Sequence, residues 1–189
     1  EEGGTAIAQT LTGDNDPAGR LPVTFYKGVE QLPEFEDYAM KNRTYRYFGG
    51  EPLYGFGHGL SYTTFEYTGM KLSNPSLTAG GPLDVEVDVK NTGKRDGDEV
   101  AELYISFPKL PGAPRRALRG FTRVHLKTGE QKHVKLTLSP RDLSYVNEAG
   151  DRFVSTGDYL ITVGGGQPGL GASHAESHLM IQGEQKLPE

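Results

Sequence analysis

Apolar and polar residues alternate with a period of two along much of the chain after Ser61. Residues 83–90, Leu-Asp-Val-Glu-Val-Asp-Val-Lys, alternate without a break, and residues 134–138 and 159–163 repeat the pattern. Because successive side chains of a strand point to opposite faces of a sheet, this period predicts half-buried β-strands. Four more strands are predicted at residues 64–72, 100–107, 118–126 and 178–181.

Turn sequences separate these segments at residues 91–93, 127–130 and 155–158, and residues 147–150 predict a small extra hairpin. Seven antiparallel strands in roughly 120 residues predict a mainly β fold, an immunoglobulin-like sandwich of two sheets, which we place at residues 61–189. Tyr159 opens a late strand directly after a turn. It is therefore either the tyrosine of a tyrosine corner or an ordinary strand tyrosine.

The N-terminal segment follows a different pattern. Ile7 and Leu11 lie four residues apart and Gly13 supplies a stop signal, so residues 4–12 predict a short helix. Residues 21–25 predict a brief strand, which Pro22 confines to a sheet edge or to a strand start. One short helix and one strand bury too little surface to be stable alone, so we expect them to complete a sheet whose other strands lie outside this sequence.

Aromatic residues are concentrated between these two regions. Residues 25–67 contain seven Tyr and five Phe, out of 10 Tyr and 8 Phe in the chain. A flexible linker is poor in aromatic residues, so this segment is expected to lie flat on another surface. We call residues 27–60 the strap. Six aromatic residues are the predicted contacts to a neighbouring domain: Tyr45, Tyr47, Phe48, Tyr54, Phe56 and Tyr62.

Composition and charge exclude several classes of function. The 189 residues suit one domain with an appendage, and a net charge of −5 opposes binding to nucleic acid or to an anionic membrane. No run approaches eighteen apolar residues and the N-terminus is neither basic nor apolar, so neither a membrane span nor a signal peptide is expected. The absence of Cys excludes disulfides and a cysteine nucleophile, and leaves the compartment open.

Three other motifs have ordinary structural interpretations. Residues 164–169 satisfy G-x-G-x-x-G, but too few residues follow for a dinucleotide-binding unit, so they predict a loop between strands. His174, Glu176 and His178 have the spacing of metal ligands on one strand face, yet an exposed polar turn is the favoured interpretation. The basic residues Arg115, Arg116, Arg119 and Arg123 predict a solvated loop, with a partner interface or a ligand site as alternatives.

No catalytic constellation is evident. Glycoside hydrolysis needs two carboxylates that face each other across the sugar. Glu34, Glu36 and Asp37 are close in sequence, but a single segment does not flank a bond from both sides. We assign no catalytic, cofactor-binding or metal-binding residue to this chain.

Several longer strings carry a family resemblance. The strings at residues 1–6, 16–25, 42–48 and 51–65 closely resemble the C-terminal third of glycoside hydrolase family 3 enzymes, the β-glucosidases and β-xylosidases. Residues 118–121 and 157–159 look like later marks of the fibronectin type III-like domain of that family. The sequence departs from the common pattern at Gly55, where Pro is usual, and at His58, where Tyr is usual.

The resemblance implies a larger parent enzyme. Its catalytic nucleophile and its acid/base residue belong to upstream domains, and residues 1–26 are then the C-terminal remnant of an α/β sandwich domain. The implied function is that of a non-catalytic accessory module of a retaining, exo-acting β-glycosidase, whose partners are the upstream catalytic domains. Self-association into a homo-oligomer is a further partner hypothesis, and the resemblance favours a periplasmic or secreted location.

Two alternatives remain open. The first is that the chain is a stand-alone carbohydrate-binding or adhesion sandwich. The second is that it is one chain of a nicked enzyme that is active only with its missing part. The absence of Trp counts against the first alternative, because sugar-binding platforms usually need broad flat rings. Mass spectrometry of the source preparation tests the second alternative.

We predict that the isolated chain does not hydrolyse aryl β-glucosides or aryl β-xylosides, because it has no facing pair of carboxylates. The measurement is release of the aryl group by the purified chain. Turnover that persists through further purification, and that disappears when Glu34 or Glu36 is replaced, would contradict the prediction.

Overall fold

The structure, a computed structural model, describes residues 2–188. Glu1 and Glu189, the ends of the predicted N-terminal remnant and of the predicted sandwich, lie outside the described residues. Three helical segments precede the sandwich: α1 (Gly3–Thr12), a 3-10 helix (Val29–Gln31) and the single turn α2 (Thr44–Tyr47). Within residues 2–188, no helix has the length and apolar character required to cross a membrane.

Eleven strands are present within residues 2–188. They are β1 (Phe65–Leu72), β2 (Ser76–Thr78), β3 (Leu83–Asn91), β4 (Gly97–Ser106), β5 (Arg116–Leu126), β6 (Gln131–Leu138), β7 (Tyr145–Val146), β8 (Arg152–Val154), β9 (Gly157–Gly164), β10 (His174–Gln182) and β11 (Gln185–Leu187). A three-stranded sheet has the order β1-β3-β6, and a five-stranded sheet has the order β2-β10-β9-β4-β5. The strands β11-β8-β7 form a small third sheet.

The core lies between the two larger sheets, as the alternating pattern predicts. Leu83, Val85, Val87 and Val89 of β3 are each at most 1% exposed, whereas the charged residues between them face outwards. Leu103 and Ile105 of β4, together with Ile161 of β9, supply the facing side chains. The mainly β antiparallel sandwich is therefore confirmed, and its driving force is burial of these alternate apolar side chains.

Strand β4 is buried on both of its faces. The residues Ala101 to Ile105 are all buried, although a strand at the surface of a two-sheet sandwich should alternate. The side chains of Glu102 and Tyr104 point away from the core, and the strap covers them from outside. Strand β4 of the five-stranded sheet is thus packed between the other large sheet and the strap.

Several local expectations differ from the structure. Residues 21–25 form no strand in the described chain, and their sheet pairing is one isolated bridge between Phe25 and Tyr54. A strand needs regular pairing along its length, and within residues 2–188 the backbone of this segment bonds only at its two ends, Leu21 with residues 57–58 and Phe25 with residues 53–54. The strands β2, β11 and the helix α2 were not predicted, because segments of three or four residues carry too little periodicity.

Some of the predictions for the sequence motifs are also wrong. Strand β10 begins at His174, so His174 and Glu176 belong to the strand rather than to an exposed turn. Arg116, Arg119 and Arg123 lie in β5, so the predicted loop is wrong for these three residues; Arg116 and Arg119 are half-buried and Arg123 is exposed. Residues 165–173 form the loop between β9 and β10, so the loop predicted at residues 164–169 is confirmed except for Gly164, which ends β9.

Tyr159 forms the tyrosine corner. Its side chain is fully buried, and its hydroxyl donates a 2.8 Å hydrogen bond to the backbone carbonyl of Ser155, four residues upstream. Burial raises the pKa of Tyr159 to about 12. The bond fixes the chain as it enters β9, the strand between β10 and β4.

We predict that Tyr159→Phe lowers the free energy of unfolding by about 1–2 kcal/mol, because it leaves the buried Ser155 carbonyl without its donor. Urea denaturation of both proteins measures the change. The matched control is Tyr145→Phe, which removes a longer 3.4 Å contact to the Ser155 hydroxyl and should cost less. Equal losses for the two variants would argue against the corner.

Candidate functional site

The N-terminal segment is attached to the sandwich by a buried ion pair. Arg20 Nη2 lies 2.5 Å from Glu99 Oε1 in β4, and the side chains are only 11% and 6% exposed. Arg20 Nε also donates to the carbonyl oxygen of Gly165, which follows β9, at 3.2 Å. Arg20 therefore connects its own segment to two neighbouring strands of the five-stranded sheet.

A second buried carboxylate lies beside this pair. Glu102 Oε2 accepts a 2.6 Å hydrogen bond from the hydroxyl of Tyr104, two residues further along the same face of β4. Burial raises the pKa values of both Glu99 and Glu102 above the usual range, while Arg20 acts in the opposite direction on each carboxyl. The positive charge of Arg20 offsets part of the free-energy cost of burying these two carboxylates.

The strap approaches these groups through Gly57. This residue has φ of 76°, in the left-handed region that favours glycine. A Cβ atom at this position would collide with Glu102 Oε2 and would lie 2.9 Å from the Tyr104 hydroxyl oxygen. Any side chain here would therefore push the strap away from β4.

A polar junction links α1 to the start of the sandwich. Asp16 accepts hydrogen bonds from the Ser61 hydroxyl, at 2.8 Å, and from the backbone N–H of Tyr62, at 2.6 Å. The Tyr62 hydroxyl in turn donates to the carbonyl of Thr10 at 2.7 Å. Arg95 bonds the carbonyl of Gly13 and lies over the Tyr62 ring. These contacts hold the C-terminal end of α1 against the sandwich.

Three of the six predicted aromatic contacts pack inwards, within this chain. Tyr45 stacks on Phe56 with ring centroids 4.2 Å apart and meets the ring of Tyr104 edge-on at 6.1 Å. Its hydroxyl accepts a hydrogen bond from the backbone N–H of Leu118 in β5. Phe48 is only 8% exposed and packs edge-on against Tyr26. The surface expected beneath the strap is thus partly the outer face of the five-stranded sheet.

The other three face outwards to different extents. Tyr47 is half-buried beneath the guanidinium of Arg46. Tyr54 is 45% exposed and meets Phe25 edge-on, and Tyr62 is 47% exposed despite its hydrogen bond. The structure therefore divides the six residues between the sandwich and the solvent-facing side. Their role as contacts to another domain stays a prediction.

Further apolar side chains are exposed around the N-terminal segment. In the described chain α1 buries none of its residues, and Ile7 and Leu11 are 64% and 77% exposed. Leu53 and Leu60 of the strap are also exposed. We call Ile7, Leu11, Leu53, Tyr54 and Leu60 the outer apolar set. These side chains belong to segments that the polar contacts above hold in place.

The remaining candidate residues have separate environments. His178 lies 3.0 Å from Asp158, while His174 and Glu176 are 3.9 Å apart. Among residues 2–188, no group of three or more His, Asp or Glu side chains is arranged to hold a metal ion. The carboxylates of Glu34, Glu36 and Asp37 are all exposed on the strap.

The arginine cluster is also divided. Arg123 pairs with Asp98, whereas Arg116 and Arg119 donate to the backbone carbonyls of Pro168 and Ser144. Burial lowers the pKa of Arg116 and of Arg119. Arg119 is the extra residue of a bulge between β4 and β5. The bulge interrupts the regular alternation of side chains along β5 between Arg116 and Arg119.

Sequence reasoning missed the polar residues of the junction. The missed residues are Asp16 of this junction and the buried pair Arg20 and Glu99, although Asp16 and Arg20 both lie in a string that carries the family resemblance. The available signal was in β4, where Glu102 interrupts an apolar run instead of alternating with it. A carboxylate within such a run indicates a buried, partnered acid.

Two family models match the chain. The model of the glycosyl hydrolase family 3 C-terminal domain matches residues 1–62, and that of the fibronectin type III-like domain matches residues 99–167. Xylan 1,4-beta-xylosidase of Xylanibacter ruminicola is 44% identical over 165 residues, which are 87% of this chain and 19% of that protein. The periplasmic beta-glucosidase of Salmonella typhimurium is 35% identical, over 86% of this chain and 23% of that protein.

A solved structure shows the same fold. Beta-glucosidase 3B from Thermotoga neapolitana, in complex with glucose, aligns with a TM-score of 0.84 and 32% identity. The alignment covers 100% of this chain and 28% of that one. The chain thus spans about a fifth to a quarter of the length of the two curated relatives.

We predict that Arg20→Ala lowers the free energy of unfolding by about 3–5 kcal/mol, because it leaves the buried Glu99 carboxylate without its cation. Thermal and urea denaturation measure the loss. The control is Lys27→Ala, which breaks an exposed pair with Glu51 and should leave stability nearly unchanged.

The loss should also depend on pH. The pKa of Glu99 is already raised in the folded protein, and removal of Arg20 raises it further. The folded variant then binds a proton more readily than the unfolded chain, so its stability deficit should shrink as the pH falls from about 7 to about 5. A deficit that is constant across this range would mean that lost packing, rather than the unpaired charge, causes it.

Proposed function

Because this chain belongs to glycoside hydrolase family 3, as its C-terminal region, we propose that it is a non-catalytic accessory module that stabilises the catalytic domains of a retaining, exo-acting β-glycosidase. The family resemblance and the mainly β fold are confirmed by the matches. The finer proposal concerns what the module does: it anchors the last elements of the preceding domain and covers their apolar surface. Its partners are then the upstream domains of the same enzyme, of the β-glucosidase or β-xylosidase type.

The observation that carries the proposal is the exposed apolar face of α1. A helix with Ile7 and Leu11 four residues apart has one apolar face, and such a face is normally buried against another element. In the described chain nothing covers it. Yet Tyr62 and Arg95 hold the end of this helix at fixed positions. An ordered apolar face without a cover is typical of a surface that meets another part of the protein.

The energetics support an anchor of this kind. Fully burying one large apolar side chain contributes roughly 1.5–3 kcal/mol, so a few members of the outer apolar set contribute several kcal/mol. Ordering a free segment would offset much of this gain. Here the Arg20–Glu99 pair and the Asp16 contacts already order the segment, so most of the gain is retained on docking.

The proposed division of the chain follows from the same contacts. Residues 1–26 belong to the preceding α/β domain, residues 27–60 are the strap, and residues 61–189 are the sandwich. The inward-facing residues Tyr45, Phe48 and Phe56 fasten the strap to the sandwich. The outward-facing Tyr54 and Tyr62, with Tyr47 at the edge, are the proposed contacts to the catalytic domains.

We predict that Ile7→Ala together with Leu11→Ala leaves the stability of the isolated chain within about 0.5 kcal/mol, because both side chains are exposed there. In a full-length family 3 enzyme that carries this region, the same pair should cost about 2 kcal/mol or more, because a cavity then replaces buried side chains. Tyr54→Ala should cost more in the full-length enzyme than in the isolated chain, where Tyr54 is half-exposed and contacts Phe25. Calorimetry of each variant in both contexts measures the difference.

Two matched controls accompany this test. Phe56→Ala should destabilise both forms, because Phe56 packs on Tyr45 within the chain. Met180→Ala, at an exposed position of β10, should affect neither. An unchanged melting temperature of the full-length Tyr54→Ala variant, with a selectively altered KM, would mean that the strap belongs to a sugar subsite and that the anchor proposal is wrong.

A further inference from the structure

A buried carboxylate lies between strand β4 and the strap. Glu102 is only 4% exposed, and a Cβ atom on Gly57 of the strap would collide with its Oε2 atom. The strap backbone therefore packs directly against this carboxylate. The side chain of Glu102 is on the outer face of the five-stranded sheet, which a two-sheet sandwich without a strap leaves in water. Closure of the strap thus transfers one carboxyl group from water into the protein interior.

The partners of Glu102 leave a negative charge on it largely uncompensated. Its Oε2 atom accepts a 2.6 Å hydrogen bond from the Tyr104 hydroxyl, which is the one hydrogen bond of this side chain within residues 2–188. The guanidinium of Arg20 also acts on Glu102, but it is paired with Glu99 at 2.5 Å. Two buried carboxylates thus share one positive charge. Burial of a carboxylate without a cation of its own is costly, and protonation removes that cost.

The other groups around Glu102 do not neutralise it. The residues opposite Glu102 in the sheet, Gly164 of β9 and Phe121 of β5, are uncharged. Arg123, further along β5, is paired with Asp98. The charged or titratable groups that remain around Glu102 and Tyr104 are Tyr45, Arg116, which donates to the Pro168 carbonyl, and the exposed His58, whose ring packs on Tyr54.

We propose that Glu102 is a pH-sensitive latch for the strap: its neutral acid form holds residues 53–59 on β4, and its ionisation weakens this attachment. All of the groups named above lie within this chain. The latch is therefore independent of the proposed contact with upstream domains.

The direction of the pH effect follows from proton linkage. Burial raises the pKa of Glu102 in the closed state, while Tyr104 and Arg20 oppose this rise and Glu99 adds to it. When the strap is open, the carboxyl is hydrated and its pKa returns towards the ordinary value of a glutamic acid. The closed state therefore binds the proton more tightly. Closure is strongest at low pH and weakens as the pH rises from that ordinary value through the raised pKa of the closed state.

Two backbone amides report whether the strap is closed. The N–H of Gly57 donates to the carbonyl of Leu21 at 2.8 Å, and the N–H of Gln167 donates to the carbonyl of Phe56 at 3.3 Å. The second bond joins the strap to the loop that follows β9. Both amides should exchange with solvent when this part of the strap opens, without unfolding of the sandwich.

The test is amide hydrogen exchange of the ¹⁵N-labelled 189-residue chain and of its Glu102→Gln variant, from about pH 4 to about pH 7. Gln has the shape of Glu but stays neutral, so the ratio of the two rates cancels the intrinsic pH dependence of exchange. At Gly57 and Gln167 the ratio of the unaltered chain to Glu102→Gln should rise roughly threefold or more across this range. One proton limits the rise to about tenfold per pH unit.

Two further variants sharpen the result. Tyr104→Phe removes the hydrogen bond that favours the ionised form of Glu102, so the rise should continue to a higher pH than in the unaltered chain. Glu66→Gln removes an exposed carboxylate from β1 and should leave the exchange rates at Gly57 and Gln167 unchanged. The amides of β3 show whether each variant is folded.

Three outcomes would overturn the proposal. A rate ratio that stays constant from about pH 4 to about pH 7 would mean that Glu102 does not control the strap. An equal rise at the amides of β3 would mean that the whole sandwich unfolds instead. A Glu66→Gln variant that changes the exchange as much as Glu102→Gln does would assign the effect to net charge.

Discussion

The buried ion pair between Arg20 and Glu99 determines how the N-terminal segment is joined to the sandwich. Glu99 lies in β4 at the edge of the region that the strap covers, and its desolvated carboxylate requires a cation. Arg20 supplies it from a segment that would otherwise have little contact with the sheet. The same guanidinium bonds the carbonyl of Gly165 after β9, so the pair also aligns the N-terminal segment with the loop that follows β9. Arg20 thereby connects the N-terminal segment to β4 and to the residue that follows β9.

The strap gives the five-stranded sheet a second covering layer. An ordinary two-sheet sandwich exposes the outer faces of its sheets, but here Tyr45 and Phe56 cover the outer face of β4. Gly57 allows the strap backbone to approach Glu102 closely enough for that face to be buried. The consequence is that β4 is covered on both of its faces, which makes the strap part of the folded unit.

The outer apolar set differs from this well-packed centre. Its members lie on elements that are ordered by polar contacts but uncovered in the described chain. Polar contacts and apolar side chains therefore have different roles here. Buried ion pairs and hydrogen bonds fix the geometry of the segments, whereas burial of apolar area supplies the free energy of association. The proposed anchor agrees with the family membership. The relatives are about four to five times longer than this chain, so they contain further residues that can cover the outer apolar set.

Much of the sandwich was determined by the sequence alone. The period of two in residues 83–90 and 159–163 sets which side chains enter the core, because a strand offers only two faces. Gly13 ends α1 with φ of 79°, as a C-terminal glycine stop requires. The hairpin at residues 147–150 was also predictable, because turn chemistry is local. For Tyr159 the sequence left a tyrosine corner and an ordinary strand tyrosine both open, and the hydrogen bond to Ser155 decided between them. The strings that identify the family needed no structure.

Tertiary structure alone decided where the strap lies and which polar groups meet. Arg20 and Glu99 are 79 residues apart, and Tyr45 and Leu118 are 73 apart, so no local pattern relates them. Six aromatic residues looked equivalent in sequence, yet packing turned three inwards and left the others half-buried or exposed. The segment at residues 21–25 had the composition of a strand, but in the described chain it pairs only as one isolated bridge, Phe25 with Tyr54. In each case the outcome depended on contacts between distant segments, which only the folded chain defines.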